Sequence, residues 1–175
     1  MATHGRDLRF LLFFGLMLLA YYFVSTTSAA KDRFFPWFLQ LNADLSGIVL
    51  HAVGYDDLQV RGNSLIHPKG AVSVERGCDA IVPCVLFVAA VLASPVPWRS
   101  KLPAALLGCL LLMLVNLFRI ISLFLTRVHW PEAFDAMHLD VWQSLFIGLS
   151  ILLWIVWAAW DTRRRARKLA LHAKP

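Results

Sequence analysis

Four long runs of apolar residues dominate the pattern of this chain. They lie at residues 10–30, 80–94, 102–126 and 142–160, and short polar or basic segments separate them. About 20 consecutive apolar residues are needed to cross the roughly 30 Å hydrocarbon layer of a bilayer. The pattern therefore predicts an all-α membrane protein in which about four transmembrane helices form one bundle.

The segment between the first two runs shows a different pattern. In residues 55–75 apolar side chains alternate with polar ones, and Gly62-Asn63 and Lys69-Gly70 interrupt the alternation. Such a pattern is typical of short strands joined by tight turns. We therefore expect residues 31–77 to be an extracytoplasmic loop with a small β-rich flap over the mouth of the bundle. A passive connector is an equally good interpretation.

Composition and charge agree with a membrane protein. Apolar residues make up 59% of the chain and charged residues only 16%, a balance unlike that of most soluble domains. We predict one membrane-embedded domain, residues 1–175, with the lipid bilayer as its surroundings. The net charge of +6 does not predict nucleic-acid binding, because the basic residues lie at the ends of the runs.

The positions of the basic residues predict the orientation. If all four runs span the membrane, one side receives the basic residues that flank them: Arg6, Arg9, Arg99, Lys101 and residues 163–168. Basic residues are enriched on the cytoplasmic side. Both termini should then be cytoplasmic in a multi-pass inner-membrane protein, with residues 31–77 and 127–141 facing the periplasm.

The first run also permits a second interpretation. Basic residues precede it, and Thr27-Ser28-Ala29 would be an acceptable cleavage site for a secretory signal. The run is longer than the apolar region of a typical signal peptide, and this length favours an uncleaved span.

Arg119 is a charged residue inside the third run. A charge near the centre of a membrane helix costs about 2.5 to 3.5 kcal/mol on insertion scales, so such a residue usually marks a functional site. Asn116 lies one turn earlier on the same helical face. A purely structural ion pair is the alternative, and four acidic residues are candidate partners: Asp79, Glu132, Asp135 and Asp140.

Two further reactive residues fall at the same membrane level as Arg119. Arg119 lies 18 residues beyond Lys101, or about 27 Å along a helix, which places it near the outer surface. Cys78 begins the second run at that surface, where a helix N-terminus and a nearby cation would lower its pKa. His138 precedes the fourth run, and imidazole suits general acid or base catalysis near neutral pH.

The remaining cysteines and histidines have simpler interpretations. Cys84 and Cys109 lie in the middle of apolar runs and are expected to be small buried hydrophobic residues. His129 is interpreted as an ordinary loop histidine. We expect no metal and no cofactor, because His129 and His138 lack a recognisable set of partner ligands.

Three ordered motifs resemble those of the exosortase and archaeosortase family. They are Cys78-Asp79-Ala80, Asn116-Leu117-Phe118-Arg119-Ile120 and His138-Leu139-Asp140-Val141-Trp142-Gln143. The resemblance covers roughly residue 72 to the end of the fourth run and is strongest to the short exosortase type called H. The family has a small polar residue and then Gly after the cysteine, whereas this chain has Asp79 and Ala80. A carboxylate there should oppose thiolate formation unless Arg119 offsets it.

The resemblance implies a membrane cysteine protease and transpeptidase with Cys78, Arg119 and His138 as catalytic residues. Cys78 would attack a C-terminal sorting signal of a secreted protein, which carries a short motif, a transmembrane helix and a basic tail. The resulting acyl-thioester would pass to a glycan or lipid-linked acceptor, or to water. Family accounts make Arg119 the proton donor and His138 the transition-state stabiliser. The high pKa of a guanidinium favours the reverse.

Two other classes of function stay open at this point. A membrane thiol oxidoreductase would pair Cys78 with a second cysteine, although the chain has no Cys-x-x-Cys motif. A transporter or assembly subunit would instead use Arg119 to bind an anion or an acidic partner helix.

Overall fold

The computed structural model describes residues 2–172; Met1 and residues 173–175 lie outside it, as do the side chains of residues 2–4, 6, 168, 169, 171 and 172. The described part contains five α-helices: α1 (Ala2–Thr26), α2 (Phe35–Ala52), α3 (Ile81–Ala93), α4 (Trp98–His129) and α5 (Trp142–His172). Two π-helical segments, Ala30–Phe34 and Ala136–Val141, precede α2 and α5, and a 3-10 turn, Pro131–Ala133, follows α4. Three strands lie between α2 and α3: β1 (Gln59–Arg61), β2 (Ser64–His67) and β3 (Gly70–Ser73).

Helix α3 lies at the centre of the bundle, where it contacts α1, α4 and α5. Its buried residues Phe87 and Val91 share one apolar cluster with Leu112 of α4 and Trp157 of α5. Just after α3, the Ser94 hydroxyl accepts a 3.1 Å hydrogen bond from an indole of α5. The position of α3 therefore depends on packing against three other helices.

Within residues 2–172, three stretches are long and apolar enough to cross a membrane: Asp7–Thr26, Trp98–His129 and Pro131–Arg167. The predicted second span, residues 80–94, contains α3, which has only 13 residues. A helix of that length reaches about 20 Å and does not cross the hydrocarbon layer by itself. The predicted fold class, an all-α membrane protein with a small sheet, is confirmed, with one of its expected spans shorter than a full crossing.

The expectation that residues 31–77 form one loop was wrong for residues 35–52, which form α2. Leu39, Ala43 and Leu50 recur at helical spacing and bury one face of α2 against α4 and the sheet. Polar residues such as Asn42 and Asp44 lower the hydropathy of this segment. For that reason it did not register as an apolar run, although its period of 3 to 4 residues predicts a helix.

The predicted strands form an antiparallel sheet in the order β1-β2-β3. Its inner face buries Leu65 and Val72 in a cluster with Ile120 and Phe124 of α4. The sheet also lies close to α2: a Cβ at Gly47 of α2 would be 2.5 Å from a methyl group of Val60 on β1. A shared core of this kind favours a packed flap over a passive connector.

We predict that Gly108→Ala destabilises the bundle by about 1–3 kcal/mol through overpacking. A Cβ at residue 108 would lie 2.0 Å from Cε1 of Phe87, which is itself buried and cannot move away cheaply. Thermal unfolding in detergent measures the effect. Gly148→Ala in α5 is the matched control, because a Cβ there meets nothing within 4 Å. Equal stability of the two variants would contradict close packing of α3 on α4.

Candidate active site

A short loop between β3 and α3 carries Cys78. The backbone turns sharply at Gly77 (φ 97°) and at Ala80 (φ 57°), and the Cys78 N–H donates to the Glu75 carbonyl at 2.9 Å. Asp79 then accepts a hydrogen bond from the Ile81 N–H at 3.1 Å. This carboxylate thus gives a partner to the N–H of the first residue of α3, which has none within the helix. The loop is thus held at both ends around the cysteine.

The three predicted site residues lie in contact with one another. Sγ of Cys78 is 2.8 Å from Nε2 of His138, which belongs to the π-helical segment before α5. Nη2 of Arg119, on α4, donates to the same sulfur at 3.6 Å. Nη1 of Arg119 donates to the Gly77 carbonyl at 3.4 Å. One sulfur atom therefore has an imidazole and a guanidinium as neighbours.

Arg119 is 2% exposed and has no carboxylate partner within 4.0 Å among residues 2–172. The structural ion pair considered from the sequence is therefore not formed by any of the four candidate acids. Instead, the guanidinium carbon lies 5.4 Å from the ring centroid of Phe146. A buried cation is costly unless an anion or dipoles compensate it. The thiolate of Cys78 would be the nearest anion.

Asn116 supports the same region one turn before Arg119. It is fully buried, and its Nδ2 donates to Oδ1 of Asn42 on α2 at 3.1 Å. This contact joins α2 to α4 directly beneath the site. Asn42 was missed in the sequence analysis, although an asparagine on the apolar face of a helical pattern was a usable signal.

His138 is oriented by an aromatic neighbour that the sequence analysis also missed. The Phe134 ring lies nearly parallel to the imidazole, with 5.6 Å between the centroids. π-helical segments such as the one that carries His138 are frequent at functional sites. His129, by contrast, bonds the Tyr55 hydroxyl at 2.8 Å. It joins the chain after α2 to the last residue of α4, so the expectation of a loop histidine was wrong about its position.

Cys78 and His138 open into a cleft of about 320 Å³ between the sheet and the C-terminal half of α4. The apolar side of the cleft is formed by Ile120, Leu123 and Phe134. The remaining lining residues are Ala71, Val72, Ser73, Val74, Arg127 and Asp135. The cleft is thus large enough for a short piece of peptide next to the thiol.

Burial raises the pKa of the Cys78 thiol, the Arg119 guanidinium lowers it, and the Asp79 carboxylate raises it again. The net direction is upward, so the expectation of a lowered pKa was wrong. Arg119 does not fully offset the desolvation of the sulfur and the adjacent carboxylate. Burial likewise raises the pKa of Asp79. The thiol therefore needs a base to ionise it, and the His138 nitrogen is within reach.

Of the other two cysteines, Cys84 is buried as expected, whereas Cys109 is only half-buried. Cys84 donates weakly to the carbonyl oxygen of Cys109 on α4 at 3.9 Å, and all three cysteines of the chain are free. Cys84 thus faces α4 rather than the cleft next to Cys78, which offers no support for a thiol oxidoreductase. Within residues 2–172, no group of three His, Cys, Asp or Glu side chains is arranged to hold a metal ion.

A family model described as transmembrane exosortase (Exosortase_EpsH) matches residues 1–156. The chain is a member of the transmembrane exosortase family. The resemblance stated from the three motifs is thereby confirmed, and membership supports a membrane transpeptidase or protease-like role at the family level. Neither the curated proteins nor the solved structures contain a match to the chain.

We predict that removing the charge of Asp79 and removing the charge of Arg119 shift the pKa of the Cys78 thiol in opposite directions. Asp79→Asn keeps a capping oxygen but removes the negative charge, so the thiol pKa should fall. Arg119→Gln removes the positive charge, so the pKa should rise further. The measurement is the rate of iodoacetamide alkylation against pH, in a Cys84→Ala/Cys109→Ala background where only Cys78 reacts. Superimposable profiles for the three proteins would contradict this electrostatic description.

Ala80 occupies the position where the exosortase motif has glycine, and its positive φ explains that preference. An L-residue pays about 1–2 kcal/mol for this left-handed conformation, while the buried Ala80 methyl recovers about 0.8 kcal/mol. We therefore predict that the free energy of unfolding of Ala80→Gly lies within about 1 kcal/mol of the wild-type value. Ala80→Val should be destabilised by about 1–3 kcal/mol, because a β-branched residue is strained there. Thermal unfolding in detergent tests both, and a stable valine variant would contradict the strain.

Proposed function

We propose that this exosortase is a membrane cysteine peptidase and transpeptidase that cleaves a C-terminal sorting signal of secreted proteins. The observation that supports the proposal is the sulfur of Cys78 in contact with both His138 and Arg119 at the wall of a peptide-sized cleft. Nucleophilic catalysis by cysteine requires a thiol, a base within hydrogen-bond reach and a group that orients the base. Phe134 supplies that orientation by stacking on His138.

In the first step, His138 removes the thiol proton and Sγ attacks the carbonyl carbon of the scissile peptide bond. The negative charge passes from the sulfur to the carbonyl oxygen. Arg119 is suited to follow that charge, because its guanidinium is buried, permanently positive and already directed at the sulfur. Because the guanidinium is shielded from water, its attraction to the negative charge is stronger than it would be in water.

In the second step, the carbon–nitrogen bond breaks and the leaving amine takes the proton from His138. The upstream part of the substrate remains on Cys78 as an acyl-thioester. An acceptor hydroxyl or amine, or water, then gives its proton to His138 and attacks the thioester carbonyl. The carbon–sulfur bond breaks, and His138 passes the proton to the sulfur, which regenerates the thiol. A glycan or lipid-linked acceptor gives transfer, and water gives hydrolysis. The proton moves through imidazole because a guanidinium does not lose its proton at working pH.

The proposed setting is the inner membrane, with both termini in the cytoplasm and the cleft facing the periplasm. The positive-inside rule supports this orientation, since the basic residues at the start of α4 and in the tail share one side. Substrates that end in a short motif, an apolar helix and basic residues would have the same orientation. Their helix would pack in the bilayer, and the motif would reach the cleft at its outer surface.

We predict that Cys78→Ala abolishes processing of such a co-expressed substrate. His138→Ala should lower the rate by roughly 10²–10⁴-fold, and Arg119→Ala by roughly 10²–10³-fold. Immunoblotting of substrate and product, together with membrane levels of each variant, gives the measurement. His129→Ala is the matched control, because that histidine bonds Tyr55 instead of the sulfur. Wild-type processing by any of the three site variants would remove that residue from the mechanism.

Chemical rescue tests which of Arg119 and His138 transfers the proton and which stabilises the negative charge. Added imidazole should restore part of the activity of His138→Ala if that side chain carries the proton. Added guanidinium should restore Arg119→Ala without changing the pH dependence of the rate, since it replaces a fixed charge. The opposite pattern would assign the proton to Arg119, as family accounts do.

A further inference from the structure

The wall of the cleft opposite α4 consists of four consecutive residues, Ala71 to Val74. Successive side chains of a strand point to opposite faces of its sheet. A cavity that consecutive residues line is therefore bordered by the edge of the strand rather than by one face. In the order β1-β2-β3, β3 is an edge strand, so its free side borders the cleft.

The sheet register shows which main-chain groups of β3 are free. Hydrogen-bonded and non-hydrogen-bonded pairs alternate along an antiparallel ladder. The N–H of Val74 bonds the carbonyl of Asn63 at 2.8 Å, next to the register pair Ser64–Ser73. The ladder therefore bonds β2 through residues 72 and 74, and the main-chain groups of Ala71 and Ser73 point away from β2. Among the described residues, these groups make no other backbone hydrogen bond.

We propose that the substrate binds as an added β-strand along this free edge, paired with Ala71 and Ser73. This inference rests on the proposed function and adds to it the conformation of the substrate: an extended peptide recognised first by its main chain. Extended peptides commonly bind proteins by adding to an exposed sheet edge. Side chains on one face of the added strand would contact Ile120, Leu123 and Phe134 in the cleft.

The direction of β3 also fits the position of the nucleophile. The chain leaves β3 at Ser73, reaches Cys78 five residues later and enters α3 at Ile81. β3 thus runs toward the bundle, and a substrate whose apolar helix follows its motif runs the same way. The added strand is therefore parallel to β3. Residues upstream of the scissile bond lie on the strand edge, and the scissile carbonyl is delivered to the sulfur.

The test uses a small probe, acetyl-Ala-Ala-Ala-chloromethyl ketone, on the full-length protein in detergent with Cys84→Ala/Cys109→Ala. The thiolate of Cys78 displaces chloride from the chloromethyl carbon and forms a thioether, which mass spectrometry locates. Two further probes carry an N-methyl group on one or the other of the two residues nearest the reactive end. Because only alternate N–H groups of a strand face its neighbour, one N-methyl probe should react about tenfold more slowly and the other should not. Equal rates for both would overturn the proposal.

A pair of proline variants tests the same edge from the side of the enzyme. Ala71→Pro removes an N–H that faces the cleft and should slow the unmethylated peptide probe by about tenfold. Val60→Pro is the matched control on the opposite edge. The main-chain groups of Leu65 bond to Val72 of β3, so Val60, which lies opposite Leu65 on β1, makes no hydrogen bond to β2. The iodoacetamide rate of each variant reports whether the thiol itself is disturbed. Equal slowing by both prolines would count against recognition at β3.

The inference and the proposed function fail in different ways. If iodoacetamide labels Cys78 but N-methylation has no alternating effect, strand addition is wrong and the nucleophile stands. If processing of the co-expressed substrate survives Cys78→Ala, the proposed function is wrong whatever the probes report.

Discussion

The buried positive charge of Arg119 is the constraint on which the site depends. Within the described residues it has no carboxylate partner, so its charge is compensated by the Gly77 carbonyl, the Phe146 ring and the sulfur of Cys78. Such an arrangement is expensive in the resting protein, where the thiol is protonated. It becomes favourable when negative charge develops on the sulfur or on a bound carbonyl.

The parts of the fold that surround Arg119 hold this charge in place. Helix α2 reaches the site through the buried pair Asn42 and Asn116, and the sheet covers α4 one turn beyond it. The loop before α3 is bent at Gly77 and Ala80 and capped by Asp79. The same carboxylate that stabilises the start of α3 also opposes ionisation of Cys78. Local stability and ionisation of the Cys78 thiol therefore compete at Asp79.

Much of the site could be inferred before any coordinates, because membrane depth is readable from a sequence. A charged residue at a known distance along an apolar run has a defined level, and Cys78 and His138 share that level with Arg119. The order of the three motifs indicated the family to which the chain belongs. The direction of the Cys78 pKa could not be inferred, since it is set by how deeply the loop is buried. The roles of Phe134 and Phe146 were equally hidden, because aromatic residues are common in every part of this chain.

By itself, the sequence determined the membrane class and the strands of the flap, both of which follow from local periodicity and hydropathy, and it named three candidate site residues. Tertiary structure alone decided that α2 packs beneath the site, that α3 is too short to cross the bilayer unaided and that the free edge of β3 borders the cleft. Those features depend on contacts between distant residues: Asn42 and Asn116 are 74 positions apart, and Cys78 and His138 are 60 apart. Local sequence patterns do not show which distant residues come into contact, because packing depends on the shape and burial of side chains rather than on their spacing along the chain.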